Sequence, residues 1–251
     1  MYEYFLTDFL HLLSTLFYCF HRYGFNCVSM PLIDEISVDR GADNAYVVSK
    51  IAINTTLSAA VAALTSIGIG VIHLGYTDVD LAAMGILAGL VSITGGCSVV
   101  EPEAAMFIGF VGSIVFYAAS QLLLKYHIDD VLNASPVHLF CGFWGLIATG
   151  LFATQENYKM AINDYGDDTP CGLFYGCGPN QLFANLIFGL AAMAWTGFNA
   201  LVVFGVLGCV GALRVPVDDE INGMDMIHHG GMDNPELIAL YNRKFDRKCI
   251  C

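Results

Sequence analysis

Charge is what this chain has least of. Ten Lys or Arg and 23 Asp or Glu stand among 251 residues, 13% in all, where soluble domains carry roughly 25%. That scarcity excludes an ordinary soluble domain. The formal net charge is −13, which argues against nucleic acid as a partner because a phosphate backbone demands an excess of clustered Lys and Arg. Nine cysteines are present, but no paired CxxC spacing occurs, so no metal site is expected. A basic opening segment is also missing: Glu3 and Asp8 occupy its place and no small-residue cleavage site follows, so the start does not read as a secretory signal. There is no internal repeat.

What is present is long apolar sequence. Hydrophobic residues make up 56% of the chain and the mean hydropathy is +0.62. No charge falls within Ile51 to Ile72, Leu81 to Val100, Ala104 to Leu124, Val131 to Gln155, or Thr169 to Leu213. A weaker span from Phe9 to Ser29 is interrupted by His21 and Arg22. A hydrocarbon core ~30 Å thick takes ~20 apolar residues per helix. Continuous runs of this kind are helices, since barrel strands would alternate over about ten residues. The expected fold class is all-α, a polytopic bundle of about six transmembrane helices near 9–29, 46–73, 80–98, 103–125, 133–154 and 181–213. Residues 1–214 form the membrane domain and 215–251 a polar tail. With these spans Lys125, Arg214, Arg243, Lys244, Arg247 and Lys248 share one side, against Arg40, Lys50 and Lys159 on the other. The excess of basic residues puts the tail in the cytoplasm.

Small residues run in stripes along these helices, which predicts close helix contacts: Gly85, Gly89, Ser92 and Gly96 in one, and Ala105, Gly109, Gly112 and Ser113 in the next. His138 sits in the uncharged stretch Val131 to Gln155. Ionisable residues at membrane depth are costly and face a bundle interior or a water path; the alternative is a neutral histidine bonded to a carbonyl on a neighbouring helix. Cys141, Gly142 and Gly145 follow at helical spacing and place His138 on the face that meets neighbouring helices. Cys171 and Cys177 flank a Gly-rich turn expected outside, which makes them a candidate disulfide pair. His228 and His229 are adjacent in the tail without a third ligand, and are not read as a metal site.

Five blocks then read together: Tyr23-Gly24-Phe25-Asn26-Cys27-Val28-Ser29; Val91 to Pro102; Ile128-Asp129-Asp130 ahead of Val137-His138; Cys141-Gly142-Phe143-Trp144-Gly145; and Arg214-Val215-Pro216 leading to Gly223-Met224-Asp225 and His229-Gly230. In this order and spacing the chain resembles the ammonium transporter family from about Tyr23 to Gly231. The resemblance implies the second half of an inverted-repeat channel, from the sixth to the eleventh helix plus the cytoplasmic tail, assembled as a trimer with one pore per subunit. It implies ammonium or ammonia as substrate, no cofactor, and a multi-pass location in the plasma membrane. Phe25 matches a phenylalanine of the family's stacked pair and Ser29 its vestibule hydroxyl. His138 matches the second of two pore histidines. Asp130, Asn54 and Trp144 are candidates for supporting the pore helices, and Gly223, Asp225, His229 and Gly230 fall in the segment that passes gating signals between subunits.

The chain also departs from the family pattern. Leu139 stands where a glycine usually follows the pore histidine, and His21 and Arg22 replace an apolar aromatic pair. The helix bearing the first histidine has no match here, so the expectation is a truncated or partial chain that needs a complementary half, a homotrimer, or association with full-length relatives. The alternative is a non-conducting subunit that joins such relatives and regulates them. An intramembrane hydrolase built on Ser98 and His138 would have a Gly96-Cys97-Ser98 step but no oxyanion-hole motif, and the chain is not expected to be an enzyme.

Overall fold

The computed structural model describes residues 2–28, 41–162, 168–216 and 220, with side chains from residue 12 in the first segment and from residue 45 in the second. The described residues fold into α-helices α1 (Tyr2–Val28), α2 (Gly41–Leu74), α3 (Val79–Thr94), α4 (Pro102–Lys125), α5 (Cys141–Phe152), α6 (Gln155–Ile162) and α7 (Asn180–Cys209). A π-helical turn, Ser135–Phe140, runs directly into α5, and a 3-10 turn spans Leu173–Tyr175. The architecture is all-α; among the described residues the extended pairing is an isolated antiparallel bridge between Val100 and Ala153.

Among the described residues four helical stretches are long and apolar enough to cross a membrane: Ala45–Leu74, Pro102–Lys125, Ser135–Phe152 and Asn180–Cys209. The other two expected spans correspond to α1 and α3. α3 ends at Thr94 instead of continuing to residue 98, because Gly95 and Gly96 begin a tight turn in which Val99 and Val100 both donate to the Gly96 carbonyl, at 2.9 and 3.0 Å. At 16 residues α3 is about 24 Å long. α1 carries His21 and Arg22 in its apolar run and is the more polar of the two. α7 stops at Cys209, short of residue 213, because Gly211 takes φ +72°. There the Ala212 amide reaches back 2.9 Å to the Leu207 carbonyl, a left-handed helix end that glycine permits.

Contacts divide the chain into two compact units at Ala191, inside α7. In the first, α2, α3 and α4 pack through their small residues. A methyl group on Gly109 would lie 2.2 Å from the Ser58 carbonyl oxygen, one on Gly89 2.6 Å from the Ala62 Cβ, and one on Gly145 2.5 Å from the Ser92 carbonyl. Backbones this close bring polar groups into reach. The Ser58 hydroxyl donates to the Gly89 carbonyl at 2.9 Å, and the Ser66 and Ser113 hydroxyls share a bond of 2.6 Å. In hydrocarbon such interhelical bonds replace the hydrophobic drive that water would supply.

The connection between α3 and α4 is stitched to the segment after α5. Thr154 donates its amide to the Val99 carbonyl at 2.9 Å, and Gly172 does the same to Ala153 at 2.7 Å. Beside these bonds the Lys50 ammonium lies 3.0 Å from Glu101 Oε1 and 2.6 Å from Asn157 Oδ1. In the second unit, Trp195, Phe198 and Leu201 of α7 are exposed, the surface of a helix suited to lipid. Arg214 pairs there with Glu220 at 2.8 Å.

Candidate functional site

Asp130 sets the start of the segment that carries His138. Its two carboxylate oxygens accept the amides of Ala134 at 2.9 Å and Ser135 at 2.7 Å, satisfying donors that open a helix. Burial works against the carboxylate, but these amides and the Ser135 hydroxyl outweigh it and hold its pKa below the usual aspartate range. A second anchor is Trp144, whose indole Nε1 donates to the Ile108 carbonyl of α4 at 3.1 Å. The Cys141 thiol donates to the Gly112 carbonyl of the same helix at 3.4 Å.

His138 itself does not share the buried face of Cys141 and Gly145, as regular helical spacing predicts. Val137 and Cys141 are buried while His138 and Leu139 are exposed. The π-helical turn is the reason: its i→i+5 bonds, of which Cys141 N–H to the Pro136 carbonyl is one, widen the turn and rotate the ring away from the α3 and α4 contacts. Among the described residues neither ring nitrogen of His138 has a hydrogen-bond partner.

Phe25, on α1, is 51% exposed. The Arg22 guanidinium lies 5.5 Å from its ring centroid and 5.1 Å from that of Tyr18, with Nη2 bonded to the Tyr18 hydroxyl at 2.6 Å. Arg22 Nη1 also donates to the Thr94 hydroxyl on α3, at 3.3 Å. The structure therefore brings Arg22, Phe25 and Thr94 together on α1 and α3.

Thr94 also lines a cavity of about 280 Å³ with Asn26, Ile51, Gly95, Ser98 and Tyr158. Asn26 is 4% exposed. It donates to the Thr55 hydroxyl at 3.1 Å, and among the described residues its side-chain oxygen has no partner. Asn54 donates to the carbonyls of Cys97 and Val100, both at 2.9 Å, and so ties α2 to the turn after α3. Cys171 and Cys177 are joined by a disulfide, with Cα atoms 5.3 Å apart. Ser29 and the tail residues Gly223, Asp225, His229 and Gly230 lie outside the described residues.

The Ammonium Transporter Family signature matches residues 7–234. The chain belongs to the ammonium transporter family. Ammonium transporter 3 of Dictyostelium discoideum is 38% identical over 184 residues, covering 73% of this chain and 42% of that protein. Ammonium transporter 1 member 1 of Arabidopsis thaliana is 39% identical over 221 residues, covering 87% of this chain and 44% of its own length. Among solved structures, Saccharomyces cerevisiae Mep2 superposes with a TM-score of 0.70 at 25% identity, over 83% of this chain and 44% of that one. A structure described as a sensor Amt protein superposes at 0.71 with 24% identity, over 86% of this chain and 48% of that one, a likeness of fold. The chain thus spans less than half the length of these relatives.

Three residues with notable contacts in the structure had no place among the expected site residues. Arg22 stood out as a charge in an apolar helix, yet which ring it would meet was not visible in the sequence. Asn26 lay inside the Gly24-Phe25-Asn26 block, its buried unpartnered oxygen unannounced. Asn157 is an ordinary loop asparagine until Lys50 and Glu101 are seen beside it.

Proposed function

We propose that this chain forms one wall of a path for ammonium and ammonia, with His138 as its hydrogen-bonding residue. The observation that carries this reading is the turning of His138 out of the helix contacts, with both ring nitrogens available, in a chain of the ammonium transporter family. A bare cation in hydrocarbon is prohibitively expensive. A neutral imidazole can accept from or donate to ammonia at either nitrogen according to tautomer, which lets ammonia move while the proton is handled separately. Asp130 and Trp144 hold the segment, and Asn54 holds the neighbouring turn. Ser29 and the tail residues Gly223, Asp225, His229 and Gly230 take the vestibule and gating roles that the family resemblance implies. The protein sits in the plasma membrane with its tail in the cytoplasm and works in a trimer.

The span of the chain, less than half that of its relatives, bears on who completes the wall. On the first reading a complementary half supplies the remaining helices. On the second, the chain is a regulatory subunit of full-length relatives and conducts nothing. Uptake of methylammonium into cells lacking their own carriers separates the two. Co-expression of the chain with the missing first half of a relative is expected to restore uptake, and His138→Ala to abolish it. If uptake appears only with an intact relative, is altered by the chain, and is indifferent to His138→Ala, the regulatory reading holds and the conducting one fails.

A further inference from the structure

We propose that Arg22 is a resident cation occupying the ring-face seat of Phe25, so that this side of the path admits neutral ammonia and rejects a free ammonium or methylammonium ion. The inference rests on the reading of Phe25 and His138 as path residues. Its physical basis is separate and lies in how Arg22 is held.

A guanidinium stays charged at every accessible pH, and its flat face stacks on aromatic rings. Arg22 is fixed in this manner between Tyr18 and Phe25, at 5.1 and 5.5 Å from their centroids. Three hydrogen bonds set its position: Nε and Nη2 to the Tyr18 hydroxyl, at 3.0 and 2.6 Å, and Nη1 to the Thr94 hydroxyl, at 3.3 Å. All of these partners are neutral. Among the described residues no carboxylate lies within salt-bridge distance of Arg22; the ion pairs found there are Lys50 with Glu101 and Arg214 with Glu220. Among the described residues the charge therefore has no counter-ion.

An aromatic face attracts a desolvated cation, and on Phe25 that attraction is already taken up by Arg22. A second cation arriving at the same ring would meet a like charge a few ångströms away, in surroundings where water screens little. Neutral ammonia meets no such barrier, and it can still accept a proton in hydrogen bonding from a donor such as the guanidinium. Thr94, which accepts from Arg22, also lines the cavity beside Asn26. The charge lies on α1 and α3 contributes a hydroxyl.

The test uses the full chain in lipid nanodiscs and needs no transport. Saturation-transfer NMR with methylammonium as the probe reports contact between the ion and the protein's aromatic protons. The wild-type chain is expected to give little saturable signal, Arg22→Lys the same, and Arg22→Gln a saturable signal at least about tenfold larger, the scale of removing one nearby like charge. Circular dichroism and size-exclusion elution establish that each variant is folded; where Arg22→Gln is not, Arg22→Met, which keeps the apolar stem, takes its place. Equal methylammonium contact in the wild type and the neutral variant overturns the proposal, and so does a folded neutral variant that binds none. Failure of the uptake experiment beside success here would refute the transport reading while leaving the cation-exclusion reading of Arg22 standing.

Discussion

The Lys50 ammonium, 7% exposed, lies 2.6 Å from the side-chain oxygen of Asn157, a residue 107 positions away in the chain. Between them stands Glu101, whose Oε1 accepts from Lys50 at 3.0 Å and from the Asn157 amide at 2.7 Å. One cluster thereby joins α2, the start of α4 and α6. Replacing Lys50 by Met removes the ammonium and leaves Glu101 and Asn157 with unmatched acceptors. Breaking a fully buried pair costs about 3–5 kcal/mol. Glu101 is 41% exposed, so water compensates in part and the expected loss is about 1–3 kcal/mol. Thermal unfolding in detergent checks it: a Lys50→Met midpoint equal to the wild type would mean the cluster contributes nothing.

The same cluster gives a pH signature. Burial raises the Glu101 pKa, but the Asn157 amide and the Lys50 charge outweigh it and hold the carboxyl below its ordinary value. A group depressed in the folded state stabilises the fold above its unfolded pKa, about 4.3 for Glu, and that contribution disappears as pH falls through the lower folded value. Wild type and Glu101→Gln should therefore differ in unfolding midpoint by a constant amount from pH 7 to about 5, and converge below about pH 4. A difference that grows on acidification would reverse the sign and reject this account.

Glycine positions separate close packing from mere composition. At Gly109 an added methyl would sit 2.2 Å from the Ser58 carbonyl, whereas at Gly197 nothing lies within 4 Å. Gly109→Ala should destabilise by about 1–3 kcal/mol because the facing backbone must move. Gly197→Ala should be neutral or slightly stabilising, since alanine is the better helix former. Comparable losses at both sites, measured by the same unfolding assay, would show that the contact between α2 and α4 is looser than it stands here.

These contrasts mark what the sequence could and could not convey. Uncharged runs fixed the helices, because hydrocarbon leaves backbone polar groups no partners outside their own helix. The Gly85 and Gly89 stripe announced a close helix contact, because only small residues permit that approach, and the structure puts α2 there. Helix ends were less legible: α3 stops at Gly95 and α7 near Gly211, and both depend on turns that glycine allows without requiring. Helical spacing placed His138 on the buried side. The π turn moved it, and a turn of that kind is set by packing of Val137 and Cys141 against α3 and α4, contacts that no spacing rule contains. Arg22 was visible as an anomaly, but its meaning came from Phe25 and Thr94, the latter 72 residues away.

Asp130 offers the cleanest way to disturb His138 without touching it. The carboxylate accepts two amides at the head of the π turn and is itself partly buried. Asp130→Ala should cost about 1 kcal/mol, the usual loss on removing a helix cap. Asp130→Asn keeps one accepting oxygen and should lose less. If the cap also fixes where the imidazole points, both variants will move the His138 ring resonances in a selectively labelled NMR spectrum, with Asp130→Ala moving them further. The cap acts locally, within a turn of the ring, so His73, on α2, should stay put. Equal shifts at both histidines would indicate a general loosening of the bundle, and an unmoved His138 would show that α4, through Trp144 and Cys141, positions the ring without help from Asp130.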